Sequence, residues 1–514
     1  MKKTVQFNAL TDAWLPLLQE DASIVWASPV EVLCGEKDGI DLDYPRDDFR
    51  VYARLLLSVL VQALFPAKTN DELVARIKTP LDRKTVELRI APVLADFDLF
   101  GPTPFLQVVP PSELPKQGAA TFAFPAEDLF LSRVPIDKIS LPIALLSVFV
   151  EQTYAGGGGR GYGAGPGGQP GAFTLIDPGT IRAAAWANSL ALETVATRYA
   201  SDGERPWSNA LRDSQPRQSI GLVGGLFFQP RSAWLIPVGE GVCSFTGLQG
   251  PLVQRSPLGT KSKLPKKISG VEDLWQHPCA PLAVNSTGIG VIRLGADRPA
   301  WTGLAQLLNP LSKAKTKKEH PSEGPAPVLR QWKALSGFKN VHPRLLVLDF
   351  DRDKATVKRR FFEAYPLTHQ LTDNPEVLAR LRALVDDAQD VERALSAALS
   401  QAHDKRKHGG FAQADARSSF WASSEGPFLA WLAEVVALQE WNDLSEAVVD
   451  GARTNMHKAL RTSAQKIFDS HVELSEFDPR KQALIAGARR KLKITLYPKP
   501  PTAGRVAAPA MVTP

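Results

Sequence analysis

The residues most suggestive of chemistry form a glycine-rich tract in the first third of this 514-residue chain. The tract opens with Gly156, Gly157, Gly158, Gly159 and Arg160, and glycine recurs at short intervals after them. Glycine loses much conformational entropy when it is ordered, so a dense run indicates either a flexible linker or main chain that closely approaches a bulky ligand. Bare backbone N–H groups can donate to phosphates or to base edges. Flexible linkers are usually rich in glycine and serine. This tract contains Arg160 and Tyr162 but no serine, and its flanks are apolar, which favours close approach over a linker.

The same tract fits the G-x-G-x-x-G spacing of dinucleotide-binding loops at Gly156, Gly158 and Gly161. That motif requires a strand before it and a helix after it. Here residues 141–154 predict a helix before the tract, and residues 173–176 predict a short strand after it. The chain also lacks a Walker A sequence. A phosphate- or nucleotide-binding enzyme that uses the Gly-rich loop is therefore kept only as the alternative function.

Positive charge is concentrated in one segment of the chain. The net charge is +7, and residues 251–320 contain eleven Lys or Arg against four Asp or Glu, an excess of seven. Clustered lysines fit a polyanion surface, and a solvated loop is the other interpretation. Within the first part of the segment, the candidates for binding such a polyanion are Lys263, Lys266 and Lys267.

Catalytic and metal-binding patterns are sparse. Cys34, Cys243 and Cys279 lie far apart and form no C-x-x-C pair, so neither a structural zinc site nor a disulfide framework is expected. His277 follows a tryptophan and precedes a proline, a context typical of a packed structural histidine. No G-x-S-x-G or H-E-x-x-H sequence occurs. The sequence therefore predicts no catalytic residue, metal or cofactor, and without an apolar span or a signal-like start it predicts a cytoplasmic protein.

Two kinds of element must position these segments. Residues 1–370 contain short apolar runs separated by Pro and Gly, which predict buried strands at 13–18, 226–230 and 345–350. Helices are interspersed, including one that Asp47 caps and that ends at Leu64.

After residue 370, apolar residues recur every three or four positions. They predict four helices: one opened by Asn374 or the preceding aspartate, one over 427–438, one over 444–468, and one opened by Asp478. We therefore predict an α+β protein with a large mixed α/β N-terminal domain at 1–370. It is followed by a C-terminal four-helix bundle at 371–497 and a disordered tail at 498–514.

Several short segments form an ordered set over about the first 280 residues. They are F-N-A-L-T-D-A-W-L-P at 7–16, Y-P-R-D-D at 44–48, P-A-K at 66–68, the four glycines, G-L-F-F-Q-P at 225–230 and L-W-Q-H-P at 274–278. In order and approximate spacing this set resembles the CasA family, the large subunits of type I-E CRISPR Cascade surveillance complexes. The helical region near the C-terminus also fits that family's architecture.

The resemblance implies a non-enzymatic, RNA-guided role. A CasA-like subunit reads the protospacer-adjacent motif (PAM) of target double-stranded DNA, mainly through the minor groove. It promotes strand separation and R-loop formation and recruits a helicase–nuclease effector. The implied partners are target DNA, the CRISPR guide RNA, the other Cascade subunits and that effector, with no membrane. A purely structural scaffold remains a third hypothesis.

The resemblance also implies three devices at particular residues. The glycine loop matches Gly156 to Gly159 with Arg160. A lysine finger corresponds to Lys266 or Lys267, with Lys263 next. A strand-splitting wedge falls on a hairpin whose tip carries Asp353 and Lys354 beside Arg352, where the family pattern has Asn and Gln. A loop over 129–140 is implied to contact guide RNA or neighbouring subunits. Of a cysteine cluster found in some relatives only Cys243 remains, so no metal is carried over.

Overall fold

Short strands form small antiparallel sheets in the computed structural model of this chain. The model describes residues 5–107, 136, 138–153, 171–208, 220–229, 234–255, 275–285, 288–294, 298–309, 324–335, 343–353, 356–403, 409–438, 442–472 and 478–497. The strands are β1 (Leu15–Leu18), β2 (Ile24–Ala27), β3 (Asp41–Leu42), β4 (Ile139–Ser140), β5 (Phe173–Asp177), β6 (Leu235–Val242), β7 (Gln249–Arg255), β8 (Leu282–Asn285), β9 (Gly288–Val291), β10 (Arg344–Asp353) and β11 (Thr356–Pro366). Three of them are central: β1 between β2 and β3, β7 between β4 and β6, and β10 between β5 and β11.

Helices of very different length surround these sheets. They are α1 (Pro29–Leu33), α2 (Asp47–Leu64), α3 (Asn70–Lys78), α4 (Arg83–Ile90), α5 (Leu141–Thr153), α6 (Ile181–Ala187), α7 (Leu192–Ala196), α8 (Leu222–Leu226), α9 (Trp301–Leu308), α10 (Pro327–Ala334), α11 (His369–Asp373), α12 (Pro375–Ala402), α13 (Gly409–Ala437), α14 (Asp443–His471) and α15 (Pro479–Leu496). A 3₁₀ helix spans Ala91–Phe97. Among the described helices, none combines the length and apolar character that a membrane crossing requires.

The N-terminal core is built on two helices that are apolar on nearly all sides. In α2 and α5 almost every residue is buried, and the two helices contact each other. Such helices are stable only when neighbours cover every face. Trp14 and Trp186 are also fully buried. The strands that carry the predicted functional segments are therefore held against a rigid interior.

Helix α2 corrects one detail of the sequence prediction. Asp47 is the first helical residue rather than the cap, and Arg46 occupies the N-cap position without a side-chain capping bond. The guanidinium of Arg46 instead binds the buried carboxylate of Asp48 at 3.0 Å and 2.6 Å. The two aspartates lie in the first turn, where negative charge interacts favourably with the helix dipole. The predicted strand at 226–230 is also wrong, because Leu226 ends α8.

The chain divides into two compact units, and each is described by itself. Unit 1 comprises residues 1–296 and 303–373, and unit 2 comprises 297–302 and 374–514. Unit 1 contains all the described strands and unit 2 only helices, so the predicted mixed α/β region followed by a helical region is confirmed. The domain limits at 370 and 497 stay predictions, and the predicted tail at 498–514 lies outside the described residues.

Unit 2 consists mainly of α12 to α15, with α12 contacting each of the other three. Asn374 caps α12 with its side chain and Pro375 follows at the first helical position, as the sequence predicted. Asp478 and Pro479 begin α15 in the same way. Helix α13 begins at Gly409 rather than at Pro427, which lies inside it. A four-helix bundle stays an interpretation of this packing.

Candidate nucleic-acid interface

Most of the residues predicted to touch nucleic acid lie outside the described residues. This holds for Gly156, Gly157, Gly158, Gly159, Arg160, Lys263, Lys266, Lys267 and Lys354. Arg352 and Asp353 are described as backbone, at the end of β10. The site is therefore built from the residues at which these segments leave and rejoin the described structure.

The predicted wedge segment forms a projecting hairpin. Asp353 of β10 pairs with Thr356 of β11, so only two residues connect the strands, and the register shifts between Asp351 and Arg352. On its other side β10 pairs with β5 only as far as Leu348. At about 3.3 Å per residue, β10 continues for roughly 17 Å past that last pair with β5, although Asp349 and Phe350 are still buried. The residues predicted to form the wedge therefore lie at the end of a hairpin, beyond its pairing with β5.

The glycine tract joins the sheet on the side toward which the hairpin projects. Phe173, the first residue of β5, pairs with Leu348, and the two strands are antiparallel. The chain therefore enters β5 from the direction of the hairpin tip. Gly171 lies two residues before the start of this strand, and a Cβ atom there would meet the carbonyl oxygen of Ile292 at 2.4 Å. Only glycine allows this approach without displacing the neighbouring main chain.

The element order around the tract is helix, tract, strand. Helix α5 ends at Thr153 and β5 begins at Phe173, as the sequence predicted. A dinucleotide-binding loop has the opposite order. The neighbouring elements thus differ from those of the alternative, nucleotide-binding function.

The lysine segment and the glycine tract rejoin the described structure at adjacent positions. The ring of His277 contacts the ring of Phe173 edge-on, with centroids 5.2 Å apart. The backbone N–H of Thr174 donates to the carbonyl oxygen of Cys279 at 2.8 Å. The first strand after one segment is therefore bonded to the chain that follows the other.

Burial explains the chemistry of this junction. It lowers the pKa of His277 to about 3, so the ring is neutral, and its Nδ1 accepts the Cys279 N–H at 3.0 Å. Burial also raises the pKa of the Cys279 thiol well above its ordinary value. His277 is a packed structural histidine, in agreement with the sequence analysis.

Trp275 begins the described chain after the lysine segment, and it lies flat against a glycine. A Cβ atom on Gly225 would lie 2.4 Å from the indole of Trp275. The hydroxyl of Tyr199 donates to the carbonyl oxygen of Gln276 at 2.9 Å. These contacts explain why G-L-F-F-Q-P and L-W-Q-H-P occur together, since one supplies the surface that the other covers.

The two segments also leave the described structure from one place. Arg255 is the last residue of β7, before the lysine segment, and Glu151 lies in the last turn of α5, before the glycine tract. Their side chains form a buried ion pair. The described residues that flank the glycine tract and the lysine segment therefore contact each other on both sides, and β5, which follows the tract, pairs with β10 of the hairpin.

Sequence reasoning missed the Glu151–Arg255 pair, although a signal was present. Glu151 is the only charged residue in α5, and Arg255 is the only one in β7. A charged residue in a helix that is otherwise without charge and almost entirely buried, as Glu151 is in α5, is expected to be paired. Reading the two elements together would have indicated a contact between them.

Comparison with known proteins identifies the family. A family model described as CRISPR-associated protein Cse1 matches residues 8–467. The chain belongs to the Cse1 family. The resemblance to CasA stated from short motifs is thereby confirmed, because solved structures of this fold carry both names.

Solved Cse1 structures share the fold over nearly the whole chain. CasA (Cse1) from Thermus thermophilus is 19% identical, with 95% of this chain and 99% of that chain covered and a TM-score of 0.67. Cse1 from Thermobifida fusca is 17% identical, with coverages of 96% and 98% and a TM-score of 0.70. A chain of a structure titled CRISPR RNA-guided surveillance complex is 20% identical, with coverages of 95% and 100% and a TM-score of 0.68.

A metal site has no support among the described residues. No group of three or more His, Cys, Asp or Glu side chains in those residues is arranged to hold an ion. Cys243 is buried, and its sulfur accepts N–H bonds from Ser140 and Thr246 at 3.3 Å and 3.4 Å. Burial raises the pKa of this thiol, but the hydrogen bonds outweigh that effect and lower it overall.

Proposed function

We propose that this chain is the large subunit of a type I-E Cascade-like, RNA-guided CRISPR surveillance complex and that it reads the PAM of target double-stranded DNA through the minor groove. Membership of the Cse1 family and the likeness to a chain of a surveillance complex support the assignment. The main support for this reading mechanism is that the residues flanking the glycine tract and the lysine segment contact each other, and that β5, which follows the tract, pairs with the hairpin strand β10.

Each of the three segments contributes a different interaction with the duplex. Bare glycine main chain lies close to a groove floor, lysines compensate phosphate charge, and a narrow hairpin separates the first base pair. The minor groove distinguishes mainly A·T from G·C, so a short motif is read with relaxed specificity. Guide RNA pairing then reads the long sequence at nearly balanced energy. Three segments that act on one base step must be anchored to one rigid body, and the anchoring of their flanking residues within unit 1 supports this.

In this proposal the chain is a recognition subunit without catalytic residues. Its partners are target DNA, guide RNA, the other Cascade subunits and a helicase–nuclease that it recruits once the R-loop has formed. Strand separation costs a few kcal/mol per unstacked step, which new phosphate contacts and guide pairing offset.

The test is reconstitution with guide RNA and the other subunits, followed by binding to duplexes with randomised flanking motifs. Gly158→Val should abolish preference for one motif while the complex still assembles, because its side chain would hold the main chain away from the groove. Gly203→Val is the matched control, since a Cβ atom there meets nothing within 4 Å. Loss of assembly in Gly158→Val alone would indicate a structural tract and contradict the proposal.

A further inference from the structure

One buried ion pair in unit 1 lies where two of the proposed DNA-reading segments begin. Nη1 of Arg255 donates to Oε1 of Glu151, and the side chains are only 6% and 4% exposed. Glu151 lies two positions before the end of α5, and Arg255 is the last residue of β7. The pair thus joins the last described turn before the glycine tract to the last described residue before the lysine segment.

Stability alone gives a weak reason for such a pair. Removing two charges from water carries a desolvation cost that their attraction often fails to recover, and apolar pairs of similar volume are frequently as stable. An ion pair does supply direction, because a guanidinium binds a carboxylate in a restricted range of orientations. Gln152, in the same turn of α5, donates to the carbonyl oxygen of Leu106 at 3.2 Å, but that bond does not reach β7.

We propose that Glu151 and Arg255 are positioning residues that fix the glycine tract and the lysine segment relative to each other, so that both meet the duplex in one register. The inference rests on the proposed function and adds to it two residues that touch no DNA. Without the pair, α5 and β7 remain packed, but the ends from which the two segments start are no longer held in one fixed relative orientation. Discrimination between motifs would fall, while folding and assembly would continue.

The decisive variant replaces both charges with unbranched apolar side chains. Glu151→Met combined with Arg255→Met should leave the melting temperature of the subunit equal to or above that of the wild type. It should also leave assembly of the complex intact. The ratio of affinities for duplexes with and without the preferred motif should fall at least tenfold. A ratio equal to that of the wild type would overturn the inference.

A second buried pair provides the matched control. Arg46 and Asp48 are 5% and 0% exposed and belong to the start of α2. Arg46→Met with Asp48→Met should leave the affinity ratio within twofold of the wild type. An equal loss of discrimination in both double variants would show a general effect of removing buried charge and would also overturn the inference.

A milder variant keeps the test valid if the double variant does not fold. Arg255→Lys retains the charge but replaces the planar fork with a single ammonium group. It should reduce the affinity ratio at least threefold, and an unchanged ratio counts against positioning. Failure of the proposed function is recognised separately, because the wild-type complex would then bind all motifs equally or Gly158→Val would bind like the wild type.

Discussion

At the scale of single residues, close packing at two glycines helps to locate the proposed interface. Gly225 allows the indole of Trp275 to lie flat on α8, and Gly171 allows β5 to begin beside Ile292. Both glycines adjoin the ends of segments assigned to DNA reading. The positions of the residues that flank those segments therefore depend in part on two residues that have no side chain.

Gly225→Ala should displace Trp275 and loosen the end of the lysine segment. Overpacking of this kind typically costs about 1–3 kcal/mol, because the added methyl group overlaps the indole. Thermal unfolding of the isolated subunit measures the stability loss, and duplex binding by the assembled complex measures the functional loss. Gly250→Ala is the control, since its Cβ has open space around it. Equal melting temperatures for the two variants would contradict the contact.

His277→Asn should flatten the decline in stability at acid pH. The folded-state pKa of about 3 lies below the ordinary value of 6.5, so the unfolded chain takes up a proton that the folded chain does not as pH falls between these values. Stability is then lost by up to about 1.4 kcal/mol per pH unit in that window. Asparagine keeps an acceptor for the Cys279 N–H and removes the titration. Parallel stability curves for wild type and variant from pH 7 to 5 would contradict this account.

At the scale of elements, local signals predicted helix ends well where capping chemistry was complete. Asn374 with Pro375 and Asp478 with Pro479 give a side-chain acceptor and a fixed φ at consecutive positions, and both helices begin there. Pro427 gave the same φ signal without a capping side chain, and it proved to lie inside α13. The run at 226–230 was apolar enough for a strand, but Leu226 ends α8, and Trp275 packs against Gly225 of that helix, a tertiary contact that no local pattern contains.

Sequence distance decides which parts of the candidate site could be predicted. The order of the short motifs identified the family, and one continuous segment identified the hairpin. Both signals lie in residues that are adjacent in sequence. The bonds between β5 and the chain after Gln276, and the pair Glu151–Arg255, join positions about a hundred residues apart in sequence. Such contacts depend on folding of the whole unit, so only the single charged residue in the sequence of α5 indicated that one of them existed.

Replacing Lys266 and Lys267 by alanine should weaken duplex binding and its dependence on salt. If these lysines contact phosphates, as we propose, their removal also lowers the number of counterions released on binding. Removing one lysine–phosphate interaction lowers the slope of log affinity against log salt by about 0.9. Lys84→Ala, on the exposed side of α4, controls for net charge. An unchanged slope in the double variant would exclude both lysines as the finger.

At the scale of the whole molecule, the chain passes between its two units three times, at 296–297, 302–303 and 373–374. The short insertion into unit 2 includes Trp301, which is fully buried and stacks on Phe428 with ring centroids 4.7 Å apart. Trp421 lies 6.1 Å from the same indole, and Arg298 lies over the Trp421 ring. Unit 2 therefore takes part of its aromatic core from a segment remote in sequence.

A chain truncated after Asp373 should aggregate, because Trp301 loses the rings that cover it. Adding Trp301→Ser to the truncated chain should restore a monodisperse solution, as measured by light scattering. In the full-length chain, Trp301→Ala should cost about 3–5 kcal/mol of stability through the cavity that it leaves. A monodisperse truncated chain that retains Trp301 would contradict this description of unit 2.

The six residues at 297–302 also constrain how such proteins can be recombined. A chimera that exchanges the C-terminal helices between two relatives at a single crossover near residue 373 would pair one parent's tryptophan with the other parent's ring cluster. Functional exchange requires a second, much shorter graft far upstream. A single crossover near residue 373 separates residues 297–302 from the helices that they pack against, so the helical region is not expected to be inherited as an independent module. We therefore expect the hexapeptide and the helices to have diversified together.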